Sequence, residues 1–182
     1  MAGGQKWVVE APLFLVFCAD LHRSRKSWKN IDPRVFSNTE MFITATVDAA
    51  LAAQKAFIAA QSFGLGGVFI GGIRNDLRKI SELLNLPELV YPLFGMCLGY
   101  PGENPGPKPR LPREVIYKAE EYDDSKDDAL IKSYDEEISS YYFARTGGKV
   151  RDTWTERCGK MMMAKTRDDV GGFITEKGFC AR

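Results

Sequence analysis

The chain has one histidine, His22, and its four cysteines, Cys18, Cys97, Cys158 and Cys180, form no C-x-x-C pair. A zinc site therefore has no ligand set to build from. Gly-Lys-Ser and Gly-Lys-Thr are absent, which removes the P-loop, and the lack of G-x-S-x-G removes a hydrolase elbow. Net charge is only +1, so there is neither the basic excess of a nucleic-acid binder nor the acidic excess of a disordered chain. "MAGGQKWVV" runs into Glu10 without a long apolar core, so no signal peptide is read. "MFITATVDAALAAQKAFIAA" is interrupted by Asp48, Gln54 and Lys55 and is not taken as a membrane span. Cys18 and Cys97 lie in the apolar runs "LFLVFCAD" and "FGMCLG", where a small buried thiol is the expectation, and the pattern suits the reducing cytoplasm.

What is present is globular. With 182 residues and 45% hydrophobic content, the chain is long enough for one domain with a proper core. Residues 6–11 suggest a helical turn, and Leu13 to Cys18 reads as a buried strand. "LHRSRKSWKNIDPR" reads as a solvated basic loop, which makes His22 a loop residue rather than a catalytic base. Residues 39–62 predict one long helix, capped by Asn38 or Thr39, with Val47, Leu51, Gln54, Ile58 and Gln61 on one stripe and alanines over the rest. Such a thin helix is expected at the centre of the domain or in a dimer interface. Gly66 to Gly72 predicts a strand. Asn75 or Asp76 caps a helix that stops before Pro87, and "LVYPLFGMCLGYPG" predicts a strand bulged or broken around Gly95. The five prolines of residues 101–112 mark a stiff loop. Residues 125–145 and 153–166 predict helices, and Gly171-Gly172 a break before the C-terminal tail. Alternating helices and strands without repeats give a single α/β-type domain on pattern alone.

"FGLGGVFIGGIRND" raises the question of a nucleotide fingerprint. Gly64 and Gly66 supply two positions of G-x-G-x-x-G, but the third is Phe69, and these glycines precede the apolar run instead of following it. What survives is a strand with glycine at its end. It could be a tight bend or a place where a planar ligand approaches the backbone.

Together, "GGQKWV", "FLVFCAD", the glycine run, "YPLFGMCLGYPGENPGPKPRLP" and "GGKVRDTW" resemble the oxygen-insensitive NADPH-dependent nitroreductases and NADPH–FMN oxidoreductases over nearly the whole chain. The K-P-R-L-P core of the proline loop is the most specific element. The resemblance implies an α+β fold over residues 1–182, a mainly antiparallel sheet surrounded by helices. It also implies an interwoven homodimer, with helix 39–62 suited to the interface and the tail 153–182 reaching the partner. The implied activity is hydride transfer from NADPH through FMN to a nitroaromatic, a quinone or free flavin, chemistry that the cofactor carries.

Matching positions imply the site. Gln5 corresponds to a glutamine near the flavin and nicotinamide. Phe69, Ile70, Gly71 and Gly72 correspond to the segment packed on the isoalloxazine, with Phe69 standing where many members have Tyr. Lys108 and Arg110 correspond to the basic pair on the FMN phosphate. Arg145 corresponds to an arginine linked to the NADPH 2′-phosphate, and Lys149 and Arg151 stand beside it in the flexible "TGGKVRD" loop. No catalytic side chain and no metal is implied. Tyr141, Tyr142 and Phe143 are read as packing rather than as a flavin-stacking box. Family members carry an H-R-S-x-R-type motif and a serine-rich stretch before "GGQ", so the sequence reads as N-terminally truncated, with half of the phosphate clamp. A family core with little activity and a flavin-binding module without turnover stay open as alternatives.

Overall fold

The computed structural model describes residues 4–104, 106–164 and 167–180. It divides into two compact units, Met1–Glu103 with Arg167–Arg182, and Asn104–Thr166.

The first unit is built on three strands, β1 (Leu13–Asp20), β2 (Gly66–Ile70) and β3 (Val90–Gly99), in the order β1-β3-β2 with both pairings antiparallel. The α/β-type expectation drawn from element alternation is thereby corrected to α+β. Side-chain alternation sorts the two faces. Leu15, Phe17, Met96 and Leu98 pack with Ala60 and Phe57 of the long helix, whereas Phe14, Val16 and Cys97 pack with Ile70, Ile73 and Ile80. Because β3 is covered on both faces and paired along both edges for part of its length, nearly all of it is buried, which explains its continuous apolar run. The irregularity falls at Leu93, not at Gly95. Phe17 faces Phe94 and Cys18 faces Pro92, so one residue of β3 is left over. β2 ends opposite Gly95, so proline's missing N–H sits at a bulge flanked by β1 alone.

α1 (Lys6–Glu10) precedes β1. The basic stretch after β1 is not a loop: it forms α2 (His22–Ser27) and, after a turn, a 3-10 helix Pro33–Ser37 started by Asp32, whose carboxylate accepts from the Arg34 N–H at 2.9 Å. His22 thus opens a helix. α3 (Thr39–Ser62) starts where predicted, the Asn38 side chain accepting from Glu40 N–H at 2.9 Å. Its alanine face makes the close approach expected of so thin a helix. Ala45, Ala53 and Ala60 are the buried residues, while Leu51 and Ile58 are 58% and 56% exposed. The helix therefore flanks the unit instead of running through its centre, because its alanine face lets the backbone lie close to the sheet. By length and composition alone α3 is also apolar enough to cross a bilayer, alanine and β-branched residues outweighing Asp48 and Lys55.

β2 stops at Ile70, and Gly71–Asn75 turns into a 3-10 helix, so Gly71 and Gly72 lie past the strand and not within it. Asp76 caps α4 (Leu77–Leu83), accepting from Lys79 N–H at 3.1 Å. At the C-terminus Gly171-Gly172 make no break: they lie inside α8 (Val170–Glu176). Phe173 of that helix and Phe179 after it are buried with Phe36, Leu77 and Tyr91, and this docking outweighs the poor helix propensity of the glycine pair. Ala181 and Arg182 lie outside the described residues, as do Met1 to Gly3.

The second unit is helical. α5 (Arg113–Ile116), unforeseen in the sequence, follows the proline loop, of which Pro105 lies outside the described residues. α6 (Asp127–Arg145) buries Tyr134 and Ile138 and carries Asp127 and Asp128 in its first turn, where carboxylates favour the helix dipole. α7 (Trp154–Ala164) matches the helix expected over 153–166, whose last two positions, Lys165 and Thr166, lie outside the described residues.

Candidate functional site

In the first unit, Phe69 projects from β2 on the α3 side of the sheet. Its ring lies 5.5 Å from that of Phe57 and 5.5 Å, edge-on, from that of Phe94, yet the residue stays 40% exposed. With Gly71, Phe94, Ala50, Gln54 and Arg74 it lines a cleft of about 350 Å³. Ile70, the next residue, points the other way and is fully buried against Ile73 and Ile80. Of the four residues read as ring-packing, Phe69 thus offers a side chain, Gly71 lies under the Arg74 guanidinium, whose Nη2 stands 3.3 Å from where a Cβ would be, and Ile70 anchors the segment from below. Gly72 is partly exposed beside them.

Two arginines that the sequence reading passed over meet here. Arg74 Nη1 donates to the Leu93 carbonyl. Arg167 Nη2 donates to the Gly71 carbonyl at 3.2 Å, and its guanidinium holds Asn75 Oδ1 at 3.0 and 3.1 Å. Among the described residues neither has a carboxylate in ion-pair range. Burial lowers the pKa of Arg74 and the positive charge of Arg167 lowers it further, with Tyr91 opposing. A cleft walled by phenylalanine, with a half-buried cation at its edge, suits a flat, electron-poor or anionic ring system. The only sequence signal for Arg74 was its place two residues after Gly71-Gly72. Arg167 lies 96 residues from Gly71 and had none.

In the second unit, Lys108 and Arg110 lie in the extended segment before α5. Arg110 donates to the Lys108 carbonyl at 3.3 Å, and Tyr134 pins the same segment by donating its hydroxyl to the Pro109 carbonyl at 3.2 Å. Neither cation has a carboxylate partner among the described residues. Burial raises the Tyr134 phenol pKa, and the positive field of Lys108 and Arg110 works against that rise. Two uncompensated cations on a backbone held from below fit a phosphate.

The three nicotinamide-side candidates each have their own surroundings. Arg145 Nη1 donates to the Tyr141 hydroxyl at 2.7 Å. The Arg151 guanidinium lies 3.8 Å from the Phe143 ring centroid and lines a groove of about 590 Å³ that also carries Asp135 and Glu136. Lys149 is exposed. Their loop is tied as well as glycine-rich: Gly147 and Gly148 take positive φ (59° and 85°), Val150 N–H donates to Thr146 Oγ1 at 2.9 Å, and Ser139 Oγ donates to the Arg151 carbonyl at 2.9 Å. Gln5 stands exposed before α1 with its backbone carbonyl accepting from Val8 at 3.1 Å. Its side chain makes no cap bond. Tyr142 has a neighbourhood the packing reading did not foresee, with Lys108 and Arg157 both over its ring.

Comparison with known proteins gives a consistent picture. The Nitroreductase family matches residues 1–100, and the Nitroreductase family, C-terminal domain, matches residues 108–182. A Bacillus subtilis protein described as FMN reductase (NADPH) is 42% identical over 98% of this chain and 74% of its own length. A Salmonella typhimurium oxygen-insensitive NADPH nitroreductase is 39% identical over all of this chain and 74% of its own. The solved structure of a nitroreductase from B. subtilis superposes with a TM-score of 0.94 at 42% identity, covering 100% of this chain and 75% of that one. A Vibrio harveyi NADPH:FMN oxidoreductase complexed with NAD+ does so with a TM-score of 0.86 at 37% identity, covering 100% of this chain and 73% of that one. The chain thus spans about three quarters of the length of these relatives.

Proposed function

The chain belongs to the nitroreductase family, and from that premise we propose that it is an FMN-dependent oxidoreductase that passes a hydride from NADPH, by way of the flavin, to nitroaromatics, quinones or free flavin. The observation that carries this reading is 42% identity, over 98% of the chain, to an FMN reductase (NADPH). Bound FMN supplies the two-electron chemistry, so no side-chain acid, base or nucleophile is demanded of the protein.

The chain's own residues bind and orient. Phe69 offers a ring to pack on the isoalloxazine, Ile70 fixes the strand end through its buried side chain, and Gly71 and Gly72, without side chains, carry the backbone that faces the ring. Lys108 and Arg110 take the phosphate through charge-assisted hydrogen bonds. Gln5 serves the flavin and nicotinamide edge, and Arg145, with Lys149 and Arg151, takes the NADPH phosphate side.

The chain also works as an interwoven homodimer under this proposal, with residues 1–182 acting as one domain and the tail 153–182 reaching the partner. The support is the outer face of α3, where Ile43, Val47, Leu51 and Ile58 are all exposed apolar residues. The cytoplasm is the proposed location. Four free cysteines suit a reducing compartment.

The test is the flavin content of the purified chain, with and without added FMN, followed by NADPH oxidation in the presence of a nitroaromatic. Yellow protein that turns over is the expected result. Protein that stays colourless after FMN is added overturns the reading, and yellow protein without turnover leaves a flavin-binding module.

A further inference from the structure

Tyr142 carries two cations brought to its ring from different elements. Lys108 Nζ, from the proline loop, lies 5.2 Å from the ring centroid, and Arg157 Cζ, from α7, lies 4.4 Å from it. The two charges therefore stand at most about 9.6 Å apart. At that range like charges repel, and the negative face of the ring offsets only part of the repulsion. Compensation from carboxylates is thin. Arg157 has Asp152 at 3.8 Å, shared with Lys160 at 3.5 Å, and Lys108 has none among the described residues. Lys108, Tyr142 and Arg157 line one cleft of about 430 Å³ with Trp154, and no carboxylate is in its lining.

A guanidinium lying over a ring keeps its N–H edge for hydrogen bonding in its own plane, the geometry that suits two oxygens of a phosphate. The lysine adds a compact point charge from the other element. An aromatic ring gripped by both cations fixes their positions before a ligand arrives, which lowers the ordering cost of binding.

We propose that Arg157 and Lys108, set by Tyr142, form a phosphate-monoester site, with Arg157 the positioning cation that the basic loop pair lacks. The site rests on the flavoenzyme reading for the source of its ligand, since the FMN phosphate and the 2′-phosphate of NADPH share this chemistry.

The experiment compares the 182-residue chain with Arg157→Gln and Arg157→Lys. Dissociation constants are measured for FMN against riboflavin and for NADPH against NADH, and inorganic phosphate is titrated while the Trp154 indole resonance is followed by NMR. Losing one charge-assisted contact at a partly exposed site should weaken the phosphate-bearing ligand about 10-fold. Weaker FMN with riboflavin unmoved, restored mostly by Arg157→Lys, supports the site and assigns it to the flavin. Weaker NADPH with NADH unmoved supports it and assigns it to the nicotinamide cofactor. If the unmodified chain takes up no FMN but phosphate still shifts Trp154, and fails to do so in Arg157→Gln, the cofactor reading falls and the site stands. Equal losses for FMN and riboflavin, or no change in any ligand, overturn the site.

Discussion

Gly95 sits in the middle of β3 and pairs with Val16 on one side and Ile70 on the other. Replacing it with alanine would place a Cβ 2.6 Å from Phe14 Cε2 and 3.2 Å from Cε1, with Cζ closer still. Carbon atoms settle at about 3.5–4.0 Å, so the Phe14 ring would have to retreat by roughly 1 Å. Phe14 packs on the cluster of Ile70, Ile73, Ile80 and Cys97, and close-packed interiors pass such a displacement on. Overpacking of this kind costs about 1–3 kcal/mol, and a value near 2 is expected here because backbone pairing on both sides prevents the strand itself from yielding. For a chain of this length that is a Tm drop of roughly 4–8 °C.

Urea denaturation followed by far-UV circular dichroism measures the loss. The decisive variant is the double mutant Phe14→Leu with Gly95→Ala. If the ring over the glycine is the obstacle, the two substitutions will be non-additive by about 1 kcal/mol or more, the smaller side chain relieving the clash. FMN affinity should follow the same pattern, since Ile70 sits opposite Gly95 and leads directly into Gly71. A single Gly95→Ala variant as stable as the parent, or a double mutant whose costs simply add, refutes the claim that Phe14 is seated on the Gly95 backbone.

In the second unit, Lys118 Nζ lies 2.5 Å from Asp127 Oδ1 with both side chains about 15% exposed. Asp127→Asn leaves a largely buried ammonium without its counter-charge and should cost about 2–3 kcal/mol in urea melts, whereas a loss under 0.5 kcal/mol would mean that water reaches the pair. Burial raises the thiol pKa of Cys97, and burial followed by Asp20 raises that of Cys18, both from an ordinary 9.0. The folded state then keeps protons that the unfolded state releases, so this stabilisation is full below pH 9 and is lost as pH rises through the folded values. The slope of stability against pH above 9 should be shallower in Cys97→Ala, and parallel curves would contradict it. Arg145→Ala should raise the Michaelis constant for NADPH more than for NADH, and equal effects would remove the proposed 2′-phosphate role. Arg78 bridges Asp169 at 3.3 Å and Glu176 at 2.9 Å with half of its side chain in water, so Arg78→Ala should cost only about 0.5 kcal/mol by thermal melting. A loss above 2 kcal/mol would show that the bridge is more than a surface pair.

The elements that could be read from the sequence are those whose signal is local. α3 announces its start through Asn38, Thr39 and Glu40, and Gly64 follows its end with φ at 74°. β3 reads as a strand because both of its faces are buried. The failures share a cause, which is that the deciding contact lies far along the chain. Nothing apolar or periodic marks α2, but Leu21 N–H donates to the Leu89 carbonyl at 2.9 Å and Arg25 reaches Glu88 at 3.1 Å, which fixes that stretch beside the start of β3. Gly171-Gly172 reads as a break until Phe173 is seen in the core. The helical state at that point is set by tertiary docking rather than by propensity.

The candidate site divides in the same way. Phe69, Gly71, Lys108 and Arg110 came from matching motifs, and motif matching finds only residues that lie inside a recognisable string. Arg74 lines the cleft, Arg167 holds the Gly71 carbonyl from 96 residues along the chain, and Arg157 and Lys108 share the ring of Tyr142. Lys108, Arg110, Arg74 and Arg167 share with several other cations the lack of a carboxylate in ion-pair range among the described residues, and that lack belongs to the folded arrangement alone: in sequence, Arg74 stands two residues from Asp76, and Arg167 directly precedes Asp168 and Asp169. Folding assigns those carboxylates elsewhere, Asp76 to the Lys79 N–H at 3.1 Å and Asp169 to Arg78 at 3.3 Å. The cations left over are therefore a product of how the caps and bridges are satisfied.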